Sequence, residues 1–207
     1  MTGTQSVVFV IDDDASVREA LEDLLASVGL AVQSYGSTEA FLMGPRPDSP
    51  GCIVLDVRLP GSSGLEFQRT LAERGVLLPI IFISGHGDIA MSVRAIKSGA
   101  VEFLTKPLRE QELLDAINVA IERDRSRRQT AGRVSELQTR YDSLTARERQ
   151  VFALVVTGLP NKLVAAQLDL SEMTVKVHRS QVARKMRAKS LVDLVRMADK
   201  LGVSAAD

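Results

Sequence analysis

The chain has 207 residues, 45% hydrophobic and 25% charged, with 26 Lys and Arg against 26 Asp and Glu, a size and composition that suit one mid-sized globular domain or two small ones. No apolar run approaches the roughly 18 to 20 residues of a membrane helix, and the N-terminus lacks the basic stretch, apolar run and small-residue cleavage site of a secretory signal. The single Cys52 cannot form an internal disulfide and sits in an apolar run, so it is expected as a small buried hydrophobe in a reducing cytoplasm.

The neutral total hides a division: residues 1–123 carry 10 Lys and Arg against 17 Asp and Glu, a net −7, while residues 124–207 carry 16 against 9, a net +7. An acidic half attracts cations, and a basic half is drawn to phosphate backbones.

In chain order, residues 7–11 form a β-branched apolar run, and residues 15–28 follow with Val17, Leu21, Leu24, Leu25 and Val28 on one helical face. A weaker strand is predicted at 31–34. Residues 52–55 and 79–83 are short continuous apolar runs of the kind buried on both faces of a parallel sheet. Between them, Ser63 and Glu66 stand at capping-box spacing ahead of Leu65, Phe67 and Leu71. A helix is predicted over 88–97, stopping at Gly99, and a fifth strand over 101–104. Helical periodicity resumes at Leu108 and runs through Leu113, Ile117 and Ile121. Five strands alternating with five helices predict an α/β, doubly wound five-stranded parallel sheet, flavodoxin-like, with right-handed crossovers.

The second half shows no convincing strand. An Arg-rich stretch interrupted by Gly132 leads to Val134, Leu137, Tyr141 and Leu144 at 3- and 4-residue spacing. This predicts a separate linker helix that packs against its own domain or against a second copy. Thr145 and Glu148 form another capping box before Val151, Leu154 and Val155, and Gly158 ends that helix. Pro160 opens a short helix with Val164 and Leu168; Asp169, Leu170 and Ser171 turn the chain; a longer helix runs to Met186, and a last one spans 190–201. Four helices with a tight turn between the second and third predict an all-α helix-turn-helix domain. The expected division is 1–123, a helical linker at 124–142, and 143–207.

Ligands of a doubly wound sheet sit at the carboxyl ends of its strands. There the first predicted strand delivers Asp12, Asp13 and Asp14, the third Asp56, the fourth Ser84 and the fifth Lys106. Taken singly, each has a plain structural explanation: Asp56 caps the turn completed by Pro60 and Gly61, Asp14 caps a helix, Ser84 is a turn residue and Lys106 a surface lysine. Taken together, carboxylates in one crevice call for a cation, and oxygen ligands suit Mg²⁺. Lys106 supplies a positive point charge and Ser84 a hydroxyl for phosphoryl oxygens, with Asp56 as the nucleophile that would form an acyl phosphate.

The stretches VFVIDDDASVR, LDVRLPGSSG, FISGHGD and FLTKP resemble the receiver domain of two-component response regulators over about residues 5–123. The resemblance implies Asp56 as phosphoacceptor, Asp12 and Asp13 as the acidic pocket, and the backbone carbonyl of Arg58 as a further metal ligand. It also implies Ser84 as the switch hydroxyl, Phe103 as the aromatic that moves with it, Lys106 as the phosphate-binding lysine, and a cis bond between Lys106 and Pro107. Ser84 stands where Thr is commoner and Phe103 where Tyr is; the hydroxyl and the ring are retained. A different class stays open, because Asp12, Asp14, Ser16 and Val17 also satisfy the opening motif of haloacid-dehalogenase-type phosphohydrolases, with Asp12 as nucleophile. Such enzymes carry an acidic pair after the lysine, whereas Glu110, Glu112 and Asp115 here fall in a helical pattern.

In the basic half, Val175, Val182 and Met186 form the inward stripe of the second helix of the motif, leaving Lys176, Val177, Arg179, Ser180 and Arg184 outward or at the rim. Lys and Arg suit guanine edges and phosphates, and Val177 suits a thymine methyl. His178 is expected at the core edge with a hydrogen bond, and His86 as a loop residue beside the pocket. Residues 144–186 resemble the LuxR-type DNA-binding domain. That resemblance gives Lys176 and Val177 the groove contacts, with Asn161, Lys162, Thr174 and Arg179 nearer the backbone, and Ser180 where some relatives are basic. Receiver followed by LuxR-type module is similar to the FixJ and NarL regulators, and the ending SLVDLVRMA to the FixJ branch of StyR and TodT. The resemblance implies a transcription regulator, not an enzyme, with a sensor histidine kinase as donor, homodimers on phosphorylation, DNA with paired half-sites, RNA polymerase as a partner, and no membrane. A receiver serving as a phosphorylation-independent dimerisation platform is the other possibility kept open.

Overall fold

The computed structural model describes residues 5–85 and 89–203, apart from the side chain of Ser62. Two compact units emerge, Met1–Arg128 and Gln129–Asp207.

The first unit contains, in order, β1 (Val7–Ile11), α1 (Ala15–Ser27), β2 (Ala31–Tyr35), α2 (Thr38–Met43), β3 (Gly51–Asp56), β4 (Arg58–Leu59), β5 (Ser62–Ser63), α3 (Gly64–Glu73), β6 (Ile80–Ser84), α4 (Ile89–Lys97), β7 (Glu102–Thr105) and the first part of α5 (Glu110–Asp142). Five parallel strands form one sheet in the order β2-β1-β3-β6-β7, with Ile11 beside Leu55 and Asp56 beside Ile83. Alternation along each strand sends side chains to opposite faces. Phe9, Ile11, Ile53, Leu55 and Phe82 join Phe41, Phe67 and Leu71 from α2 and α3. On the other face, Val8, Val10, Cys52, Val54 and Ile83 meet Leu21 and Leu25 of α1 and Leu113, Ile117 and Ala120 of α5. Cys52 is wholly buried, and burial, assisted by the Asp124 charge, pushes its thiol up to about 12; it is the inert hydrophobe expected.

Sequence reading does not anticipate the antiparallel pair β4 and β5, which is only two residues per strand. This pair turns the chain after Asp56, and Gly64 then approaches the backbone so closely that a Cβ there would lie 2.6 Å from the Asp56 carbonyl oxygen. The predicted start of the fourth helix at Asp88, like His86 and the end of FISGHGD, lies outside the described residues.

A second correction concerns Gly132. No break occurs there: α5 continues through it to Asp142, because one exposed glycine costs a helix only about 1 kcal/mol and the flanking residues are good helix formers. What holds α5 in the first unit is a feature missed in the sequence. Asp124 is completely buried, accepts the amide of Gly51 at 3.1 Å, and binds the guanidinium groups of Arg127 and Arg128.

In the second unit, α6 (Ala146–Val155), α7 (Asn161–Leu168), α8 (Glu172–Met186) and α9 (Leu191–Leu201) follow the last part of α5. Val151, Phe152, Val164, Val175, Val182 and Met186 form the core, joined by Leu137 and Leu144. Leu137, Tyr141 and Leu144 of the apolar stripe ahead of α6 therefore pack within their own unit, and Val134 is left exposed. Asp169, in the left-handed region at φ 52°, and the N-cap Ser171 make the tight turn between α7 and α8. The Thr145–Glu148 capping box is present, and Glu148 also pairs with Lys185 at 2.6 Å, tying the start of α6 to the end of α8. No helix among the described residues is long and apolar enough to cross a membrane.

Candidate functional site

The strand ends of the first unit bring together the polar residues that the sequence scatters over almost a hundred positions. Asp12 follows β1 directly and is fully buried; Asp56 is the last residue of β3 and nearly so; Asp13 stays exposed. One carboxylate oxygen from each lies within 4.8 Å of the other two. Lys106, just past β7, donates to Asp12 Oδ2 at 2.7 Å and to Asp56 Oδ2 at 2.6 Å. Its own amide donates to the carbonyl of Ser84 at 2.8 Å, so the lysine is registered to the end of β6. Ser84 is wholly buried, and Phe103 is half-buried with its ring 6.4 Å from that of Phe82. The Lys106–Pro107 bond is cis.

Local hydrogen bonds hold the carboxylates in place. Asp56 Oδ1 accepts the amide of Arg58 at 2.9 Å, and Asp12 Oδ1 that of Asp14, also at 2.9 Å. Asp14 itself leaves the cluster to cap α1, accepting the amide of Ser16. Arg18, which sequence reading passed over, donates from α1 to the carbonyls of Asp12 and Asp13 at 2.7 and 3.0 Å and so fixes the loop. Its position one turn into the helix after the acidic triplet was the only available signal.

Charge dominates the pocket. Two carboxylates with oxygens within 4.8 Å of each other repel by about 4 kcal/mol at an effective dielectric near 20. Burial, with the Asp56 charge adding to it, pushes the Asp12 carboxyl above the ordinary carboxylate range despite its bonds to Lys106 and the Asp14 amide. Burial pulls the Lys106 ammonium down, but its bonds to Asp12 and Asp56 together outweigh burial and leave it raised. One ammonium among three carboxylates leaves two negative charges unanswered. An oxygen-ligated dication fits that deficit in both charge and donor type.

In the second unit, the outward face of α8 presents Lys176, Val177 and Ser180 to solvent, Val177 being 52% exposed. Thr174 is half-buried against the cap, its amide bonded to Ser171 Oγ. Lys162 is exposed on α7. Arg179 and Asn161, both predicted near a phosphate backbone, are bonded to each other at 2.7 Å, which joins α8 to the first turn of α7. His178 is half-buried as expected, but among the described residues no hydrogen bond reaches its ring, contrary to the expectation from its spacing.

Residues 8–118 match the response regulator receiver domain, and residues 142–198 match the bacterial regulatory proteins of the luxR family. The chain is a response regulator. It is 54% identical over 202 residues to Nodulation protein W of Bradyrhizobium diazoefficiens, an alignment covering 98% of this chain and 89% of that one. It is 51% identical to the response regulator protein TodT of Pseudomonas putida, over 97% and 88% of the two chains. The solved structure of the response regulator StyR has a TM-score of 0.85 and 46% identity, over 95% of this chain and all of that one. The regulator thus couples a receiver to a LuxR-type DNA-binding domain, as the motifs implied. Family membership sets aside the phosphohydrolase alternative, and Glu110, Glu112 and Asp115 indeed lie along α5 and not at a strand end.

Proposed function

We propose that a sensor histidine kinase transfers a phosphoryl group to Asp56 of this regulator, in the cytoplasm, and that the modified protein dimerises and binds DNA at paired half-sites. The observation carrying this reading is Lys106 Nζ bonded simultaneously to Asp12 and Asp56, at 2.7 and 2.6 Å. A carboxylate oxygen of Asp56 forms a bond to phosphorus as the donor's nitrogen–phosphorus bond breaks, and the donor imidazole keeps the bonding pair. Lys106 then exchanges its hold on Asp56 for a phosphoryl oxygen, and Ser84 donates its hydroxyl to another. Asp12, Asp13, Asp56 and the backbone carbonyl of Arg58 would hold Mg²⁺, which would supply charge neutralisation for the phosphoryl oxygens.

Movement of Ser84 draws the Phe103 ring with it, and the surface of α4, β7 and α5 changes. Across the helical linker, residues 124–142, the change reaches the DNA-binding domain, residues 143–207. There Lys176 and Val177 meet base edges, with Ser180 beside them where some relatives are basic, while Asn161, Lys162, Thr174 and Arg179 lie nearer the backbone. Dimers gain affinity because the second half-site contact is intramolecular. RNA polymerase is the partner through which bound regulator changes transcription.

Replacing Asp56 with Asn tests the reading. Asp56→Asn should take up no label from radioactive acetyl phosphate and should keep its basal DNA affinity; undiminished labelling of that variant would overturn the assignment.

A further inference from the structure

We infer that the second unit carries a docking groove for an acidic, apolar-anchored peptide segment of a partner protein. The groove lies between the C-terminal part of α5 and α9 and has a volume of about 640 Å³. Arg133 and Arg140 line it from α5, and Arg196 and Lys200 from α9. The spacings, seven residues on one helix and four on the other, put each pair on a single stripe. Among the lining residues only Glu136 and Asp193 oppose them, and both already have partners. Glu136 pairs with Arg140 and lies 3.6 Å from Arg187, and Asp193 accepts the amide of Lys189 at the turn into α9.

Arg133, Arg196 and Lys200 are therefore left over. All three are exposed, and among the described residues no carboxylate pairs with them. Between these cations the floor is apolar: Val134 is 40% exposed, and Met197 and Leu137 continue it into the core. A merely solvated basic face has no reason to frame a wet apolar strip, and like charges gathered in a concavity raise the local potential for anions. An amphipathic segment satisfies both features at once, with Leu or Ile on the floor and Asp or Glu against the rims. A DNA backbone satisfies only the charge, and no residue of α7 or α8 lines the groove.

This site does not depend on Asp56 or on the exposed face of α8, so its failure and that of the phosphoryl switch are separable. The probe is a fluorescein-labelled peptide of about four helical turns with Leu on one face and Glu and Asp on the flanks, titrated with full-length protein by anisotropy. Wild type should bind it, more weakly as salt shortens the screening length. The doubly reversed variant Arg196→Glu/Lys200→Glu should bind roughly 10-fold more weakly or worse, with thermal unfolding and affinity for a labelled duplex unchanged. A peptide with Ser in place of Leu should lose a similar factor.

Equal affinity of wild type and the double variant overturns the proposal. So does equal affinity for the Leu and Ser peptides, which would mean unspecific charge attraction. Parallel loss of duplex affinity would make the groove a phosphate surface, and altered sedimentation of the variant without peptide would make it a contact between copies; either outcome also overturns it. Should the double variant unfold, Met197→Ser removes the floor without touching charge and must weaken the peptide alone.

Discussion

The two units solve the problem of holding charge in opposite ways. In the first, Asp12, Asp56 and Ser84 are buried and Lys106 is bonded to two of them, so each group is positioned by the others. In the second, Lys176, Val177 and Ser180 stand side by side on one exposed helix face, each positioned by its own backbone. A buried cluster acts as a unit, and removing one member exposes the rest to an uncompensated charge. An exposed face acts as a sum, and its members should be removable one at a time with separable losses.

The sharpest break of this contrast uses a buried charge away from the phosphoryl pocket. Asp124 has no exposure and answers Arg127, Arg128 and the Gly51 amide. Asp124→Ala strands the Gly51 amide and leaves Arg127 without its carboxylate, while Arg128 keeps Asp48 and both guanidinium groups stay partly exposed, which should cost roughly 3 kcal/mol of first-unit stability. Urea unfolding of the full-length protein would show the transition of that unit moved to lower denaturant and that of the second unit in place. A shift below about 1 kcal/mol, the size of an exposed ion pair, would mean that burial here confers no such dependence.

Asp124 also marks where sequence reading stops. The sheet was legible because buried strands leave continuous apolar runs, and the pocket because strand ends of a doubly wound sheet share one edge. Both follow from periodicity and topology. Asp124, by contrast, sits in a run of alternating charges that looks solvated, and only the arrival of β3, over seventy residues earlier, reveals that the position is inside. Gly132 misleads for the converse reason: a helix-breaking residue is read locally, while helix continuity is cooperative over many residues. The Arg179–Asn161 bond needed the angle between α7 and α8, which no spacing gives.

In the second unit the buried charge among the described residues is Glu148. Burial raises its carboxyl, but the bond to Lys185 and the capping bonds from Thr145 outweigh it, and the net direction is down from the ordinary 4.5. A carboxylate held lower in the folded state stabilises that state above about pH 4.5, and the contribution disappears as pH falls through the depressed value. Second-unit stability should therefore drop on acidification below 4.5, and Glu148→Gln should flatten that part of the curve while costing about 2 kcal/mol at neutral pH. Thermal unfolding across that range, wild type against variant, measures both. Parallel curves would remove Glu148 from the explanation.

The smallest effect tests the additive side. Lys176 is exposed on α8 with no ion pair among the described residues, so Lys176→Ala should leave unfolding unchanged and weaken DNA binding by about 1 kcal/mol. Measured on an operator selected from random duplexes, the loss has two distinguishable forms. If the lysine meets a base edge, discrimination between operator and random duplex should shrink while the salt dependence holds. If it meets a phosphate, both affinities should fall together, and the slope of affinity against salt should drop by about 1. Val177→Ala, which removes only an apolar contact, should change discrimination without changing the slope, and the losses in the double variant should add. Strong non-additivity between these neighbours would mean that the exposed face, like the buried pocket, works as one body.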